Sequence, residues 1–299
     1  MDHVVSVPID KDLAAFIGKK GSENGITFYN RKAPDGSAIT LLAPTNPSEK
    51  FYSVAESMLV ADQILLSTKS IDKEFGEMLI ASSLSGKHII ITNENDISNL
   101  LTGNLLRDFE IAAKEEVLNK LIAHNQKKNA SKKRVDIDKA FPVKGIGTVA
   151  LGIVTEGTIS QHEKIFHSSG KEIEVKSIQS QDIDVKEAGE GTRVGLALKG
   201  IEYDEIEKGS ILSSKKPSVA QKILAKLHKS NFAKEDLSSQ KSYMLIMNFS
   251  HANAKIREVD GLYEISLEKP MPIFEGDKFL LMRTASPRIF ASGVVEALS

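Results

Sequence analysis

The stretch DKAFPVKGIGTVALGIVTEGTI (138–159), followed by VKSIQ (175–179), EAGEGTRVGLALKGI (187–201) and IEKGSIL (206–212), decides the fold of this part of the chain. Short apolar runs alternate with glycine-bearing turns, which predicts short antiparallel strands closed into a small β-barrel. Gly145, Gly147, Gly189, Gly191, Gly200 and Gly209 read as turns and bulges, so they speak of fold rather than chemistry. The string GIGTVA (145–150) mimics a dinucleotide fingerprint. It has no strand–turn–helix context and belongs to a barrel hairpin.

Toward the C-terminus the β pattern continues. YMLIMNF (243–249), AKIREV (254–259), LYEISL (262–267), KFLLMR (278–283) and ASGVVEA (291–297) read as strands. Ala220–Leu227 fits either a strand or a helical turn. Pro217 marks the junction of two barrels, 135–216 and 217–299.

Residues 1–125 read differently. Strand-like runs at 4–8, 26–30, 38–43, 63–67, 88–92 and 109–113 alternate with helix-like segments Lys11–Ile17, Ser48–Val60, Lys73–Leu84 and Glu115–Ala123. Continuous apolar strands between helices imply an α/β domain with a parallel sheet. Between this domain and the first barrel, 126–134 forms a linker, and KKNASKKR (127–134) holds five basic residues in eight. It reads as a solvated connector or as a phosphate contact through Lys132, Lys133 and Arg134.

Composition narrows the chemistry. The 299 residues suffice for two or three domains, and the net charge of −1 supplies no global attraction to nucleic acid. Cysteine is absent, which excludes disulfides, thiolate catalysis and Cys-ligated metal. The seven histidines form no pair at metal-binding spacing, so no metal is expected. Tryptophan is absent and aromatics make up 6%, which argues against a stacking platform for single strands. No signal peptide or long apolar run is seen, and the expectation is a cytoplasmic, soluble monomer with no membrane partner.

The barrel motifs at 138–212 resemble the second domain of the translational GTPases, nearest to SelB, the selenocysteine-specific elongation factor, with EF-Tu and elongation factor one-alpha behind it. GDKFLLMR (276–283) and SPRIFASGVV (286–295) resemble the close of the third domain of these factors, with Ser292 before Gly293. The resemblance implies a fold class of α/β plus all-β: a degenerate P-loop GTPase-like parallel α/β domain followed by two EF-Tu-type β-barrels.

In the first segment the order of elements matches the GTPase domain while its motifs do not. A P-loop needs G-x-x-x-x-G-K-S/T, so that backbone N–H groups wrap the phosphates, Lys reaches them and the hydroxyl binds Mg²⁺. Here the chain reads PIDKDLAAFIGKKGS (8–22), and GKKGS (18–22) has the wrong spacing and reads as a helix-ending turn. Where the family has D-T-P-G-H-E-x-F, this chain has PTNPSEKF (44–51). Pro44 replaces the Mg²⁺-side Asp, Pro47 the glycine whose N–H senses the γ-phosphate, and Ser48 the histidine that positions water. The guanine-reading N-K-x-D is Asn93-Glu94-Asn95-Asp96, with Glu94 in place of Lys, and the S-A-K motif is Ala112-Ala113-Lys114. The expectation is a pseudo-GTPase with no enzymatic activity, and no GTP or Mg²⁺ as cofactor.

The family's tRNA contacts carry over in part. Gln179 stands where EF-Tu has a Glu packed on the terminal adenosine, and Asp138-Lys139 where SelB has an Asp-Arg pair near the aminoacyl pocket. Lys does not replace the bidentate Arg fork. Lys208 matches the basic residue near the tRNA 5′ end, and Ser286 with Arg288 the loop that approaches the T-stem. On their own, Lys208 and Arg288 also read as solvated loop residues. The implied partners are tRNA or another RNA, the ribosome or other translation factors. The rival reading is a protein-interaction module that regulates translation factors without binding RNA, and a remote one is a GTP-binding factor with displaced motifs. A basic stripe joining Lys127–Arg134, Lys208 and Arg288 would favour RNA.

Overall fold

In the computed structural model of the chain, residues 2–101, 106, 108–124 and 132–298 are described. The first domain runs β1 (His3–Ser6), α1 (Lys11–Ile17), β2 (Lys19–Glu23), β3 (Ile26–Lys32), β4 (Ala38–Pro44), α2 (Phe51–Val60), β5 (Gln63–Leu66), α3 (Lys73–Ser85), β6 (His88–Thr92), β7 (Phe109–Ala112) and α4 (Val117–Ala123). The sheet order is β2-β3-β4-β1-β5-β6-β7. β4, β1, β5, β6 and β7 pair in parallel, and their buried IIIT- and QILL-type runs are those of a sheet covered on both faces.

The sheet is mixed rather than wholly parallel. β2 and β3 extend it antiparallel at one edge. The residues GKKGS, expected as a helix-ending turn, supply most of β2, and Gly18 alone ends α1 with its N–H on the Ala14 carbonyl. An edge strand covered on neither side needs no apolar alternation, which hides it in the sequence. α2 starts at Phe51 rather than Ser48, with Lys50 as its N-cap at φ −114° and ψ 61°, outside the helical region. α1 and α3 are capped by Asp10 and Asp72, whose carboxylates accept from the Leu13 and Phe75 N–H at 2.9 Å each.

The middle of the chain comprises β8 (Arg134–Val143), β9 (Gly147–Glu156), β10 (Thr158–Ser160), β11 (Lys164–His167), β12 (Glu172–Ser180), β13 (Ile183–Val185), β14 (Glu187–Gly189), β15 (Arg193–Lys199) and β16 (Ile211–Ser213). Its main sheet runs β11-β16-β8-β9-β15-β12, and β11–β12 pairing closes it into a barrel. The last part, β17 (Ser218–Lys229), β18 (Tyr243–Met247), β19 (Ser250–Val259), β20 (Leu262–Ile273), β21 (Lys278–Met282) and β22 (Ile289–Leu298), is a second closed barrel ordered β17-β20-β19-β18-β21-β22. The ambiguous run at 220–227 lies within β17, where Ile223 and Ala225 fill the barrel core.

The three units share apolar cores. Ile246, Leu280 and Ile289 of the last barrel pack into the cluster built by α2 and α3. Phe28 and Leu42 of the first domain, Ile153 of the middle barrel and Phe249 of the last form another cluster. Gly209, at φ +87°, lets the β16-side turn approach the last barrel: an added Cβ would lie 2.7 Å from the Ser250 Cβ.

Candidate functional site

Two regions bear on function: the place where a nucleotide would sit, and the seams between domains. The first is a cavity of about 580 Å³ at the ends of β1, β4 and β5, outside the carboxyl edge of the sheet where open α/β folds bind ligands. Its wall begins with Asp10. That carboxylate already holds the N-terminal amide of α1 that a phosphate would use. Lys11 donates to the Thr45 carbonyl at 2.8 Å, and Lys69 pairs with Asp12 at 3.2 Å. Asp72 and Glu74 add two further carboxylates to the wall. The wall thus carries four carboxylates, Asp10, Asp12, Asp72 and Glu74, against the two lysines Lys11 and Lys69.

Pro44 and Pro47 line the same cavity. Ser48 turns its carbonyl toward the last barrel, where the Arg288 guanidinium donates to it at 3.1 Å. At the far end, Asn93, Glu94 and Asp96 lie on one exposed loop. Glu94 accepts from the hydroxyls of Ser67 and Thr92, at 3.2 and 2.7 Å, and Asp96 from the Ser98 N–H and hydroxyl, at 2.9 and 2.6 Å. The Ala113 N–H donates to Glu116 at 3.3 Å, while Lys114 lies 4.7 Å above the exposed ring of Phe16. Among the described residues no cluster of His, Asp or Glu is set to hold a metal ion.

The second region is the seams, and here the structure places most of the expected RNA-contacting residues. Lys208, on the turn before β16, reaches Glu56 of α2 at 2.5 Å. Glu56 is fully buried, and its other oxygen lies 2.9 Å from His251 Nδ1 of β19. The Tyr52 ring lies against that imidazole, tilted by 37°, with the ring centres 4.3 Å apart. One carboxylate therefore joins all three units.

Ser286 and Arg288 are likewise occupied. The Ser286 hydroxyl donates to Glu77 of α3, which also accepts the Arg288 N–H at 2.7 Å, and the Arg288 guanidinium stacks 3.7 Å over Phe51. Arg134 is buried against Asp136 and Asp277, at 3.0 and 2.7 Å, linking the two barrels. Desolvation opposes its charge most strongly, yet the two carboxylates together hold its pKa above the ordinary value. Lys132 pairs with Glu156 at 3.2 Å and Lys133 with Glu163 at 2.5 Å. The rest of the basic linker lies outside the described residues.

Asp138 is buried too. Arg193 forks onto its carboxylate and stacks 3.9 Å over Phe28 of the first domain, while its carbonyl accepts from Asn24 at 2.8 Å. Lys139 and Gln179 remain exposed, Gln179 donating to Asp184 at 2.8 Å.

The stripe of Lys132–Arg134, Lys208 and Arg288 is thus not displayed: these cations face carboxylates of this chain. Glu56, Glu77, His251, Arg193 and Asp277 escaped sequence reading. Glu56 left a trace, as the one acidic residue in the otherwise apolar or neutral helix FYSVAESMLV.

Residues 147–213 match the model of elongation factor Tu domain 2. The chain is 31% identical over 289 residues to the uncharacterized protein MJ0325 of Methanocaldococcus jannaschii, covering 93% of this chain and 94% of that protein. It is 33% identical over 178 residues to the selenocysteine-specific elongation factor of the same organism, covering 52% of this chain but only 38% of that factor. In fold it is similar to elongation factor SelB of Methanococcus maripaludis in complex with a GTP analogue, with TM-score 0.82, 20% identity and coverage of 100% of this chain and 80% of that one. A bacterial selenocysteine-specific factor gives TM-score 0.83 at 18% identity, over 98% of this chain and 58% of that one. With barrel motifs, domain order and whole-chain similarity in agreement, the chain belongs to the SelB/EF-Tu-like family of translational GTPases.

Proposed function

We propose that this chain serves translation without a nucleotide switch, as a fixed three-unit platform docked by a protein of the translation machinery. The carrying observation is the Asp10 carboxylate seated on the α1 amide where a phosphate would bind. Pro47, lacking the N–H that would sense a γ-phosphate, points the same way. Without that sensing no order–disorder switch operates. A protein partner rather than RNA is favoured by the inward pairing of Lys208, Arg134 and Arg288.

A second reading, direct binding of tRNA, retains Lys139 and Gln179, which are exposed on the middle barrel. One experiment addresses both. Purified protein is titrated with fluorescent GTP and GDP, and with charged and uncharged tRNA over a salt series. We expect no saturable nucleotide binding, no hydrolysis and no tRNA binding at physiological salt. A micromolar nucleotide affinity defeats the switchless reading. Salt-sensitive tRNA binding that ignores GTP replaces the protein partner with RNA.

A further inference from the structure

The far edge of the first domain holds two histidines that neither the nucleotide cavity nor the seams use. His88 opens β6 and is buried, and His124 is the residue that ends α4. Their rings lie face to face, 4.2 Å between centres and 7° from parallel.

β7 and the residue before it supply two carboxylates to His88. Its Nδ1 meets Asp108 at 2.7 Å and its Nε2 meets Glu110 at 3.2 Å. An ionised carboxylate only accepts, so both nitrogens donate and the ring is held as an imidazolium. Lys120 of α4 pairs with the other oxygen of Glu110 at 2.8 Å. That hydrogen bond holds the Glu110 carboxyl below the ordinary carboxylate range, and His88 adds to it.

His124 has the opposite surroundings. Its Nε2 is buried and meets no hydrogen-bond partner among the described residues. A proton arriving there finds no acceptor and sets a second imidazolium against the face of the first. Burial pushes the His124 pKa below its ordinary value of 6.5, and the His88 charge adds to this. The carboxylates that face the pair, Asp108, Asp62 and Glu110, each oppose it more weakly. A purely structural role explains His88, whose two nitrogens are both satisfied. It does not explain His124, because a phenyl ring would fill the same stack with no polar atom left buried and unpaired.

The end of α4 is fixed at this corner. Val117 and Leu121 are its buried residues, and Gln63 of β5 donates to the Leu121 carbonyl at 3.1 Å. The His124 N–H closes the last turn on the Lys120 carbonyl at 3.2 Å. We propose that His88 and His124 form a pH-sensitive clasp on the C-terminal end of α4, closed while only His88 is charged and opened when acid charges His124 as well. The closed state disfavours the proton on His124. Its contribution to stability is therefore full above the ordinary histidine value of 6.5 and is lost progressively as pH falls below it. The carboxylates around the pair stay ionised down to about pH 5.5, so the step belongs to the histidine. The clasp goes beyond the switchless reading, which its failure would leave intact.

The test is an NMR titration of the histidine Cε1–H signals of the full chain, from about pH 8 to about pH 5.5. Amide exchange of α4 is followed in parallel and corrected for the intrinsic pH dependence of exchange. The His124 signal is assigned by its loss in His124→Phe. We expect this signal to titrate below 6.5 in the wild type, and protection at Leu121 and Ile122 to fall several-fold over the same range. His124→Phe keeps a ring in the stack and should hold α4 protected throughout, and His124→Gln supplies a second uncharged variant. His88→Gln removes the facing charge and should move the His124 titration up. A wild-type His124 signal that titrates at 6.5 or above overturns the clasp. Equal loosening of α4 by acid in the wild type, His124→Phe and His124→Gln overturns it too.

Discussion

Glu56 shows how much one residue can hold. Its carboxylate is buried and bonded to a lysine of one barrel and a histidine of the other. Taking one partner away leaves a charge out of water with little compensation, whereas replacing the whole set by apolar groups is far milder. We therefore expect Lys208→Met to cost about 2–3 kcal/mol in urea unfolding, and Glu56→Leu combined with Lys208→Met to recover most of it. A loss below about 0.5 kcal/mol would class the pair with exposed ones and remove it as a lock. In the sequence Lys208 stands out as a loop cation and Glu56 barely at all. Their pairing spans 152 positions, a distance over which no local pattern acts.

At the scale of elements, periodicity carried most of the reading. Alternation marked the barrel strands, and continuous apolar runs marked β5 and β6. The pattern failed where burial is one-sided or absent. β2, with the sequence KKGSE, sits at the sheet edge and displays its side chains to solvent. Gly293 is legible only in retrospect. A Cβ there would meet the Phe279 ring at 2.3 Å and Leu227 at 2.6 Å, so β22 can lie against β21 and β17 only with no side chain at that point. Gly293→Ala should destabilise the chain by about 2–3 kcal/mol through overpacking, read as a lowered urea midpoint. An unchanged midpoint would mean that the last barrel has slack at this seam.

For the molecule as a whole, apolar clusters and ion pairs couple the three units through the same seams. The Glu56 and Glu77 contacts both anchor helices of the first domain to the barrels, and Arg134 ties one barrel to the other. We expect small-angle scattering profiles that superimpose with and without GTP, and a larger radius of gyration in a Glu56→Ala, Glu77→Ala double variant. A GTP-dependent change in the wild-type profile would overturn the fixed arrangement. These seams use the cations that a basic surface stripe would need, so a single set of residues sets both domain geometry and surface charge.

The sequence by itself determined the architecture of the units: an α/β domain followed by two barrels, set by the period of apolar residues and the spacing of turn glycines. It also holds no G-x-x-x-x-G-K-S/T string in residues 8–22, and the family resemblance sets Pro44, Pro47 and Ser48 at the positions of the family's Asp, Gly and His. These are local properties, carried by neighbouring residues. Tertiary structure alone decided what the charged side chains do. Arg134 and Asp138 are buried in pairs, and Lys208 and Arg288 half-buried in theirs, because carboxylates and guanidinium groups from distant segments meet them. Charge pairing depends on which surfaces the folded units bring together, and that is not written in any one stretch of residues.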